Sequence, residues 1–335
     1  MRVLMATHPS CLDHDSGAGH PERPARLSAV RKGVELAGLG DRVVPFEAPL
    51  ATAAQLSLVH GAAYIEALGR FCGAGGGELD PDTAVVPASY EAALRAAGSG
   101  LAAIERLRAG EADAAFCAVR PPGHHATANR AMGFCLFNNV AVAAASLAEA
   151  GERVLIVDFD AHHGNGTQDA FYEDPRVLFV SLHQYPLFPG TGSVREQGRG
   201  PGEGFTVNVP LPAAAAGDVY RQAFDEIVVP VAERFGPTWV LCSAGFDAHL
   251  DDPVTDLGLS SGDYSDLTRT VVGLAPPGRR LLFLEGGYDL AAIVRSSAAC
   301  LAAMVGETLR PEPVTTAGPG AEVVDAVRRA HHLGT

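Results

Sequence analysis

Short apolar runs that end in polar, often glycine-containing loops recur along this chain and constrain its fold more than any other feature. The most informative run spans residues 154–157 and leads directly into the segment DFDAHHGNG at 158–166. Because this run is apolar at every position rather than at alternate positions, it is typical of a parallel strand covered on both faces. The same transition follows the runs at 114–119, 177–180, 239–242 and 281–284.

Segments with helical periodicity separate these runs, an alternation typical of βαβ units. We predict helices at 26–39, 90–109, 139–150, 219–235 and 290–305. The length of 335 residues, 47% of them hydrophobic, permits one large core. We therefore expect a single α/β domain over residues 1–335, with its core at about 1–305 and a C-terminal extension at 306–335 that holds a short helix. His331 and His332 in that extension are expected to be solvated.

Charge and cysteine usage limit the surroundings in which the chain can work. The formal net charge is −14, so we expect no direct nucleic-acid binding, which depends on basic patches. The sequence contains no run of about 18 apolar residues, so we expect no membrane span. The pattern at the N-terminus predicts a first strand rather than a secretory signal. The six cysteines form no C-x-x-C pair, so we expect buried, reduced thiols and a cytoplasmic protein. The sequence is compatible with a homo-oligomer.

Two acids and one histidine form a candidate metal site. Asp160 and His162 are two residues apart, so on an extended backbone their side chains project to the same side. Asp247 is the best third ligand, because it follows a different strand and a glycine-containing turn. We call these three residues the metal triad. Three protein ligands leave a coordination position open, as in catalytic zinc sites, where zinc acidifies a bound water and polarises a carbonyl.

The remaining polar loop residues are candidates for proton transfer and oxyanion stabilisation. His124 and His125 follow a strand in tandem, and histidine is the usual general acid–base group near neutral pH. Asp158 could orient one imidazole and Asn165 the other. Tyr288 follows two glycines and could donate its hydroxyl to a tetrahedral oxyanion. A packed core tyrosine is the alternative for that residue.

Long motifs in the chain closely resemble the zinc-dependent histone deacetylase family. They are RPPGHHA at 120–126, GFCLFNN at 133–139, and the segments 158–168, 243–249 and 284–288, within a match that extends from HPERP at 20–24 to about residue 305. The pattern is most similar to the bacterial histone deacetylase-like amidohydrolases, nearer class II than class I. The resemblance implies the arginase/deacetylase fold, in which a mostly parallel eight-stranded sheet lies between helices as three layers.

The resemblance also implies roles for the candidate residues. It implies one zinc ion per chain, bound by the metal triad. His125 resembles the general base that later protonates the leaving amine, and His124 resembles its electrostatic partner, paired with Asp158. Tyr288 resembles the residue that polarises the scissile carbonyl.

Channel and cation sites follow from the same resemblance. Gly133, Phe134 and Phe188 resemble the narrow channel around the aliphatic stem of an acyl-lysine, and Arg26 resembles the arginine of the acetate pocket. The family also binds potassium or sodium. One such site would use Asp158, Asp160, His162, Ser181 and Leu182, and a second would use Phe171, Asp174 and Val177.

Three positions distinguish subclasses within the family. Asn165 stands where class I members have aspartate, which favours a neutral His125. Val254 occupies the position of a glutamate in a polyamine-selective relative, which argues against polyamine selectivity. Tyr288 stands where weakly active class IIa enzymes have histidine, which argues for full activity.

The leading hypothesis is a zinc-dependent amidohydrolase that removes acetyl or other acyl groups from lysine side chains of proteins or peptides. Acetylpolyamine or other small-molecule amide deacetylation is the alternative. A two-metal, arginase-like ureohydrolase is disfavoured, because Gly164 stands where a further aspartate would be needed. A catalytically silent acyl-lysine binder is disfavoured by the presence of His125 and Tyr288.

Overall fold

The computed structural model describes residues 1–333 and shows an eight-stranded sheet flanked by helices. The strands are β1 (Val3–Thr7), β2 (Val43–Glu47), β5 (Ala114–Cys117), β6 (Val154–Asp158), β7 (Val177–Gln184), β8 (Thr206–Leu211), β9 (Trp239–Ala244) and β10 (Arg280–Leu284). Their order is β2-β1-β5-β10-β9-β6-β7-β8, and every neighbouring pair is parallel. A separate antiparallel hairpin joins β3 (Gly77–Asp80) and β4 (Thr83–Val85).

The predicted helices are confirmed with small shifts of their ends. They are α2 (Ala25–Ala37), α5 (Ser89–Arg108), α6 (Asn139–Glu149) and α11 (Leu290–Met304), while the segment predicted at 219–235 is α8 (Gly217–Ala223), a π-helical turn (Phe224–Val228) and α9 (Val229–Phe235). Shorter or unpredicted helices are α1 (Ser10–Asp13), α3 (Ala53–Leu56), α4 (Ala62–Gly73), α7 (Asn165–Phe171), α10 (Ser261–Gly273) and α12 (Ala321–Ala330).

The register of the central strands brings the polar loops to one edge of the sheet. Asp158 at the end of β6 pairs with Ser181 on β7 and with Ser243 on β9. The apolar residues that precede Asp158 on β6 are fully buried, as expected for a strand covered on both faces. The loops after β6 and β9 therefore begin side by side, and ligands bind at this edge in open α/β sheets.

The expectations for the cysteines and for the C-terminus are only partly met. All six cysteines are buried and free, as predicted. The expectation that both C-terminal histidines are solvated is wrong for His331, which is buried, and right for His332, which is exposed. Val324 and Val327 of α12 pack into the same apolar core as the sheet. The last two residues of the predicted extension, Gly334 and Thr335, lie outside the described part of the chain.

Among the residues described, no helix combines the length and the apolar character that crossing a membrane requires.

Candidate active site

The metal triad assembles from the loops after β6 and β9. The potential ligand atoms of Asp160, His162 and Asp247 all lie within 4.8 Å of one another. Nδ1 of His162 is 2.9 Å from Oδ2 of Asp247 and 3.3 Å from Oδ1 of Asp160. All three residues are buried. The structure thus brings together the residues that the sequence placed in one site.

The buried charges of the triad fit a divalent cation. Burial opposes ionisation of His162, but its hydrogen bonds to the two carboxylates raise its pKa to about 10. Two buried carboxylates held this close together are costly unless a cation balances their charge. Two oxygen donors and one nitrogen donor form a zinc-type set with a free position.

Two glycines let the carboxylates approach the neighbouring backbone. A Cβ atom on Gly245 would lie 2.0 Å from Oδ2 of Asp160, and one on Gly286 would lie 2.2 Å from Oδ2 of Asp247. The same Asp160 oxygen accepts a hydrogen bond of 2.7 Å from the Gly286 N–H. Any larger residue at either glycine would displace a triad carboxylate.

The tandem histidines have different partners and opposite pKa shifts. Nδ1 of His124 is 3.0 Å from Oδ2 of Asp158, and Nδ1 of His125 is 2.8 Å from Oδ1 of Asn165. Burial opposes the charge on His124, but the carboxylates of Asp160 and Asp158 raise its pKa to about 10. Burial, together with repulsion from His124 and His162, lowers the pKa of His125 well below its usual value.

The tautomer of His125 follows from its partner. Because the amide oxygen of Asn165 only accepts, Nδ1 of His125 must donate. Its Nε2 is then an unprotonated acceptor, and the ring lies with its centroid 6.0 Å from that of His162. A neutral imidazole beside the triad can accept a proton.

Tyr288 is held by its neighbours on three sides. Its backbone N–H donates to Oδ2 of Asp252 at 2.7 Å, and the Arg26 Cζ atom lies 5.2 Å from the ring centroid. Nε of Arg26 donates to the Gly287 carbonyl at 2.6 Å, where the positive φ of 111° suits glycine. Burial raises the pKa of Tyr288 well above its usual value, so the hydroxyl stays protonated and can donate a hydrogen bond.

A cavity of about 180 Å³ leads to these residues. It is lined by Asp82, His125, Gly133, Phe134, His162, Phe188, Val254 and Tyr288. The Phe188 ring centroid is 5.1 Å from that of His125, and the Phe134 ring centroid is 5.8 Å from that of Tyr288. The three residues that the resemblance placed in the channel therefore line it, as does Val254, and Phe188 and Val254 at its mouth are partly exposed.

Arg26 belongs to a buried ionic cluster that sequence reasoning only partly found. Its NH1 group is 3.0 Å from Oε1 of Glu22, and NH2 of Arg120 is 2.6 Å from Oε2 of the same carboxylate. Glu22 and Arg120 were within the motifs HPERP and RPPGHHA. Nothing in their spacing showed that distant segments would meet on one side chain.

Sequence reasoning also missed three carboxylates around the channel. Glu285 accepts hydrogen bonds from the Gly123 N–H at 2.7 Å and the His124 N–H at 3.1 Å, and so fixes the loop of the tandem histidines. Asp252 holds Tyr288, and Asp82 lines the channel. Their only signal was a position next to glycine, proline or another acid, which is common in ordinary loops.

The residues predicted for monovalent cations lie in two places. Asp158 and Ser181 are neighbours on adjacent strands, and the Ser181 hydroxyl is 2.9 Å from Nδ1 of His183. In the second set, Nε of Arg176 donates to Oδ1 of the Asp174 carboxylate at 2.9 Å. The backbone carbonyl of Asp174 accepts a hydrogen bond from the Val177 N–H. Any cation in the second set would depend on backbone carbonyls.

The fold and this site define a deacetylase-type amidohydrolase, and comparison with known proteins agrees. A family model described as histone deacetylase domain matches residues 20–304. The chain therefore belongs to the histone deacetylase family, as the sequence motifs predicted. Deacetylase or amidohydrolase chemistry, and with it a hydrolase, follows from this membership.

Individual relatives agree over most of the chain. A probable deacetylase of Archaeoglobus fulgidus is 40% identical over 306 residues, covering 89% of this chain and 85% of that protein. A histone deacetylase-like amidohydrolase of Pseudomonas aeruginosa is 41% identical over 280 residues, covering 82% and 74%. The crystal structure of the HDA15 HD domain superposes with a TM-score of 0.90 at 36% identity and covers 98% of this chain and 94% of that chain. The predicted arginase/deacetylase fold is thereby confirmed.

Proposed function

We propose that this protein is a zinc-dependent amidohydrolase that removes acetyl or other acyl groups from the side chain of Nε-acyl-lysine. The observation that carries the proposal is the convergence of Asp160, His162 and Asp247 beside a narrow channel that His125 and Tyr288 also line. One zinc ion per chain would be held by the metal triad. When bound, zinc supplies Lewis acidity that polarises an amide carbonyl and acidifies water.

The surrounding side chains supply the proton transfers. Nε2 of His125 takes a proton from the attacking water, because Asn165 holds Nδ1 as the donor and the lowered pKa keeps the ring neutral. The same nitrogen then returns the proton to the leaving amine. The protonated hydroxyl of Tyr288 donates to the carbonyl oxygen as it gains negative charge. The cationic ring of His124 is held next to His125 by Asp158, at a centroid distance of 4.0 Å from that ring.

The channel favours an extended apolar stem. Its volume of about 180 Å³ is small and its walls include Phe134 and Phe188, so it suits an unbranched aliphatic chain rather than a bulky ring. An acyl-lysine places four methylene groups between its backbone and the amide, which matches this shape. A protein or peptide could then stay outside at the mouth near Val254.

Acetylpolyamine deacetylation is the second candidate, and Asp82 is the observation in its favour. This residue lines the channel, and its carboxylate would attract the free ammonium of an acetylated diamine. Val254 at the mouth adds no charge. Another small-molecule amide would use the same machinery.

Two other functions fit less well. A Cβ atom on Gly164 would lie 2.3 Å from Oδ2 of Asp158, so the position needed for a second metal ligand has no room for a carboxylate. This argues against a two-metal ureohydrolase. His125 and Tyr288 line the same channel, which argues against a catalytically silent acyl-lysine binder.

A substrate panel tests the proposal. Zinc-loaded protein is assayed with an acetyl-lysine peptide, longer acyl-lysine peptides and acetylputrescine, with Tyr288→Phe as the control. We expect the highest kcat/KM for an acyl-lysine peptide and loss of turnover with a hydroxamate chelator. Turnover that survives both the chelator and His125→Ala would exclude this mechanism, and a higher kcat/KM for acetylputrescine would favour the second candidate.

Cation, compartment and partners complete the proposal. Potassium or sodium would bind beside Asp158 and Ser181, which lie opposite each other on two adjacent strands. Six buried free cysteines suit the reducing cytoplasm. The net charge of −14 disfavours direct contact with nucleic acid, and a homo-oligomer stays open.

A further inference from the structure

The C-terminal extension contributes a short segment that grips the loop carrying Asp247. We call residues 312–315 the strap and residues 247–260 the Asp247 loop. The loop holds a metal-triad residue at its start and Val254 of the channel mouth. The strap lies beyond residue 304, where the match to the family model ends.

Glu312 of the strap binds a buried histidine near the start of the loop. Its Oε2 atom is 2.9 Å from Nε2 of His249, whose ring is fully buried. Nδ1 of His249 accepts the Asp251 N–H at 3.1 Å. Because that nitrogen accepts, Nε2 carries the hydrogen and donates to Glu312. The histidine is thus oriented by its own loop and tied to the strap.

The other end of the loop is bound by the rest of the strap. The Ser260 hydroxyl donates to the Pro313 carbonyl at 2.7 Å, and the Thr315 hydroxyl donates to the Gly258 carbonyl at 2.7 Å. A Cβ atom on Gly262 would lie 2.4 Å from the Glu312 carbonyl oxygen. The strap therefore lies in close contact with both ends of the loop.

Backbone hydrogen bonds close the Asp247 loop next to the metal triad. The Leu259 N–H donates to the Ala248 carbonyl at 3.0 Å, and the Leu250 N–H donates to the Leu259 carbonyl at 2.8 Å. These bonds close the loop on itself, so the segment between Asp247 and His249 has little freedom to bend separately.

The residues that contact Glu312 form an ionic clamp rather than a second metal site. His249, Asp251 and Glu312 offer ligand atoms within 4.8 Å of one another. Arg295 supplies the cation there, with NH2 at 2.7 Å from Oδ2 of Asp251 and Nε at 2.9 Å from Oε1 of Glu312. We use the name ionic clamp for these four side chains.

We propose that Glu312, outside the matched family domain, is a positioning residue that sets the affinity of the metal triad for its ion. This inference rests on the proposed function, because it assumes that the triad binds zinc. In the described part of the chain, Glu312 does not line the channel and makes no hydrogen bond or ion pair with the triad. It acts through His249, which holds the backbone that presents Asp247.

Three variants test the inference. Glu312→Ala removes the carboxylate, Glu312→Gln keeps an acceptor oxygen for His249, and Glu307→Ala is the matched control. Glu307 lies in the same extension but forms an exposed ion pair with Arg42. The dissociation constant for zinc is measured by competition with a chelator, and hydrogen exchange is measured at the amides of residues 248–259.

We expect Glu312→Ala to weaken zinc binding by up to about 10-fold, the lower end of the cost of losing a group bonded directly to a metal ligand, because Glu312 acts through the backbone. Glu312→Gln should recover most of this loss, and Glu307→Ala should match the wild-type protein. At saturating zinc, KM should stay unchanged while kcat of Glu312→Ala falls only slightly. Faster exchange should be confined to the Asp247 loop.

A further variant, Val324→Ala, distinguishes general destabilisation of the protein from a specific loss of zinc affinity. It truncates a fully buried side chain of α12, away from the strap. This variant should lower the Tm without changing the zinc affinity. If Glu312→Ala binds zinc as tightly as Glu307→Ala, or if Val324→Ala weakens zinc binding equally, the inference is wrong. Zinc affinity and exchange need no turnover, so an inactive wild-type protein would contradict the proposed function and leave this test in place. If the wild-type protein binds no zinc, the inference fails with that observation alone.

Discussion

The metal triad and the ionic clamp contain the same kinds of side chain, yet the structure gives them different chemistry. Each combines one histidine with two carboxylates whose ligand atoms lie within 4.8 Å of one another. They are joined by the short segment from Asp247 to His249. In the clamp, the guanidinium of Arg295 contacts both carboxylates. In the triad, the two carboxylates contact His162, and no arginine or lysine lies at ion-pair distance from either of them among residues 1–333.

Donor types alone therefore do not define a metal site. A buried group of carboxylates needs a balancing cation. Where an arginine provides it, the cluster is an ion pair that joins segments of the chain. The triad beside the channel has no arginine next to it, so it is the candidate for binding a metal ion. The following predictions test this distinction, from the largest effect to the smallest.

The largest effect should come from the triad itself. Asp247→Ala should lower kcat/KM at least about a thousandfold, because a Lewis acid contributes several kcal/mol to catalysis, and the protein should lose its zinc. Asp251→Ala, which truncates the exposed acid of the clamp, should lower kcat/KM about threefold or less. Steady-state kinetics and metal analysis check both variants. Equal losses of zinc from the two variants would erase the distinction.

Removal of the base should separate proton transfer from metal binding. His125→Ala should lower kcat about 10²- to 10⁴-fold, the usual contribution of a general base, while the zinc content stays at one ion per chain. Tyr288→Phe should lower kcat about 10²-fold or more through loss of the oxyanion donor. Loss of zinc from His125→Ala would show that this histidine is a ligand rather than a base.

Replacing the clamp's cation should make it behave more like the triad. Arg295→Met leaves Asp251 and Glu312 without a guanidinium, so we expect the free energy of unfolding to fall by about 1–3 kcal/mol. Added zinc should then raise the Tm of Arg295→Met more than it raises the Tm of the wild-type protein. Thermal unfolding with and without zinc provides the measurement, and identical zinc responses would contradict the expectation.

The smallest effect is a pH dependence at Glu312. Burial opposes its ionisation, but hydrogen bonds from His249 and Ser261 outweigh burial and lower its pKa from 4.5 to about 2. Because the pKa is lower in the folded protein, the carboxylate contributes stability above pH 4.5 that is lost as the pH falls toward 2. The free energies of unfolding of wild type and Glu312→Gln should therefore converge over this range. A difference that stays constant with pH would count against the ionised carboxylate.

Much of the fold and of the central site was predictable from sequence. The uninterrupted apolar runs predicted a parallel sheet, and the observed strands at 154–158 and 239–244 lie where expected. Asp160 and His162 could be paired because their two-residue spacing is a local property of extended backbone. Asp247 required the further rule that the carboxyl ends of parallel strands share one edge.

Other features depended on contacts between distant segments. Glu22 joins Arg26 to Arg120 across 98 residues of chain, and Glu312 joins His249 across 63. No local pattern marks such residues, because an acid beside a proline is equally typical of a solvated loop. The burial of His331 was missed for the same reason, since it depends on the packing of α12.

The sequence by itself determined the periodicity, the order of strands and helices along the chain, and the placing of polar residues at strand ends, because these are properties of neighbouring residues. Only the folded chain determines which charged groups are buried together, because distant segments pack around the same group. That environment raises the pKa of His124 and lowers the pKa of His125 although they are adjacent. It also gives one cluster an arginine and the other none, because desolvation and charge balance depend on every segment packed around a group.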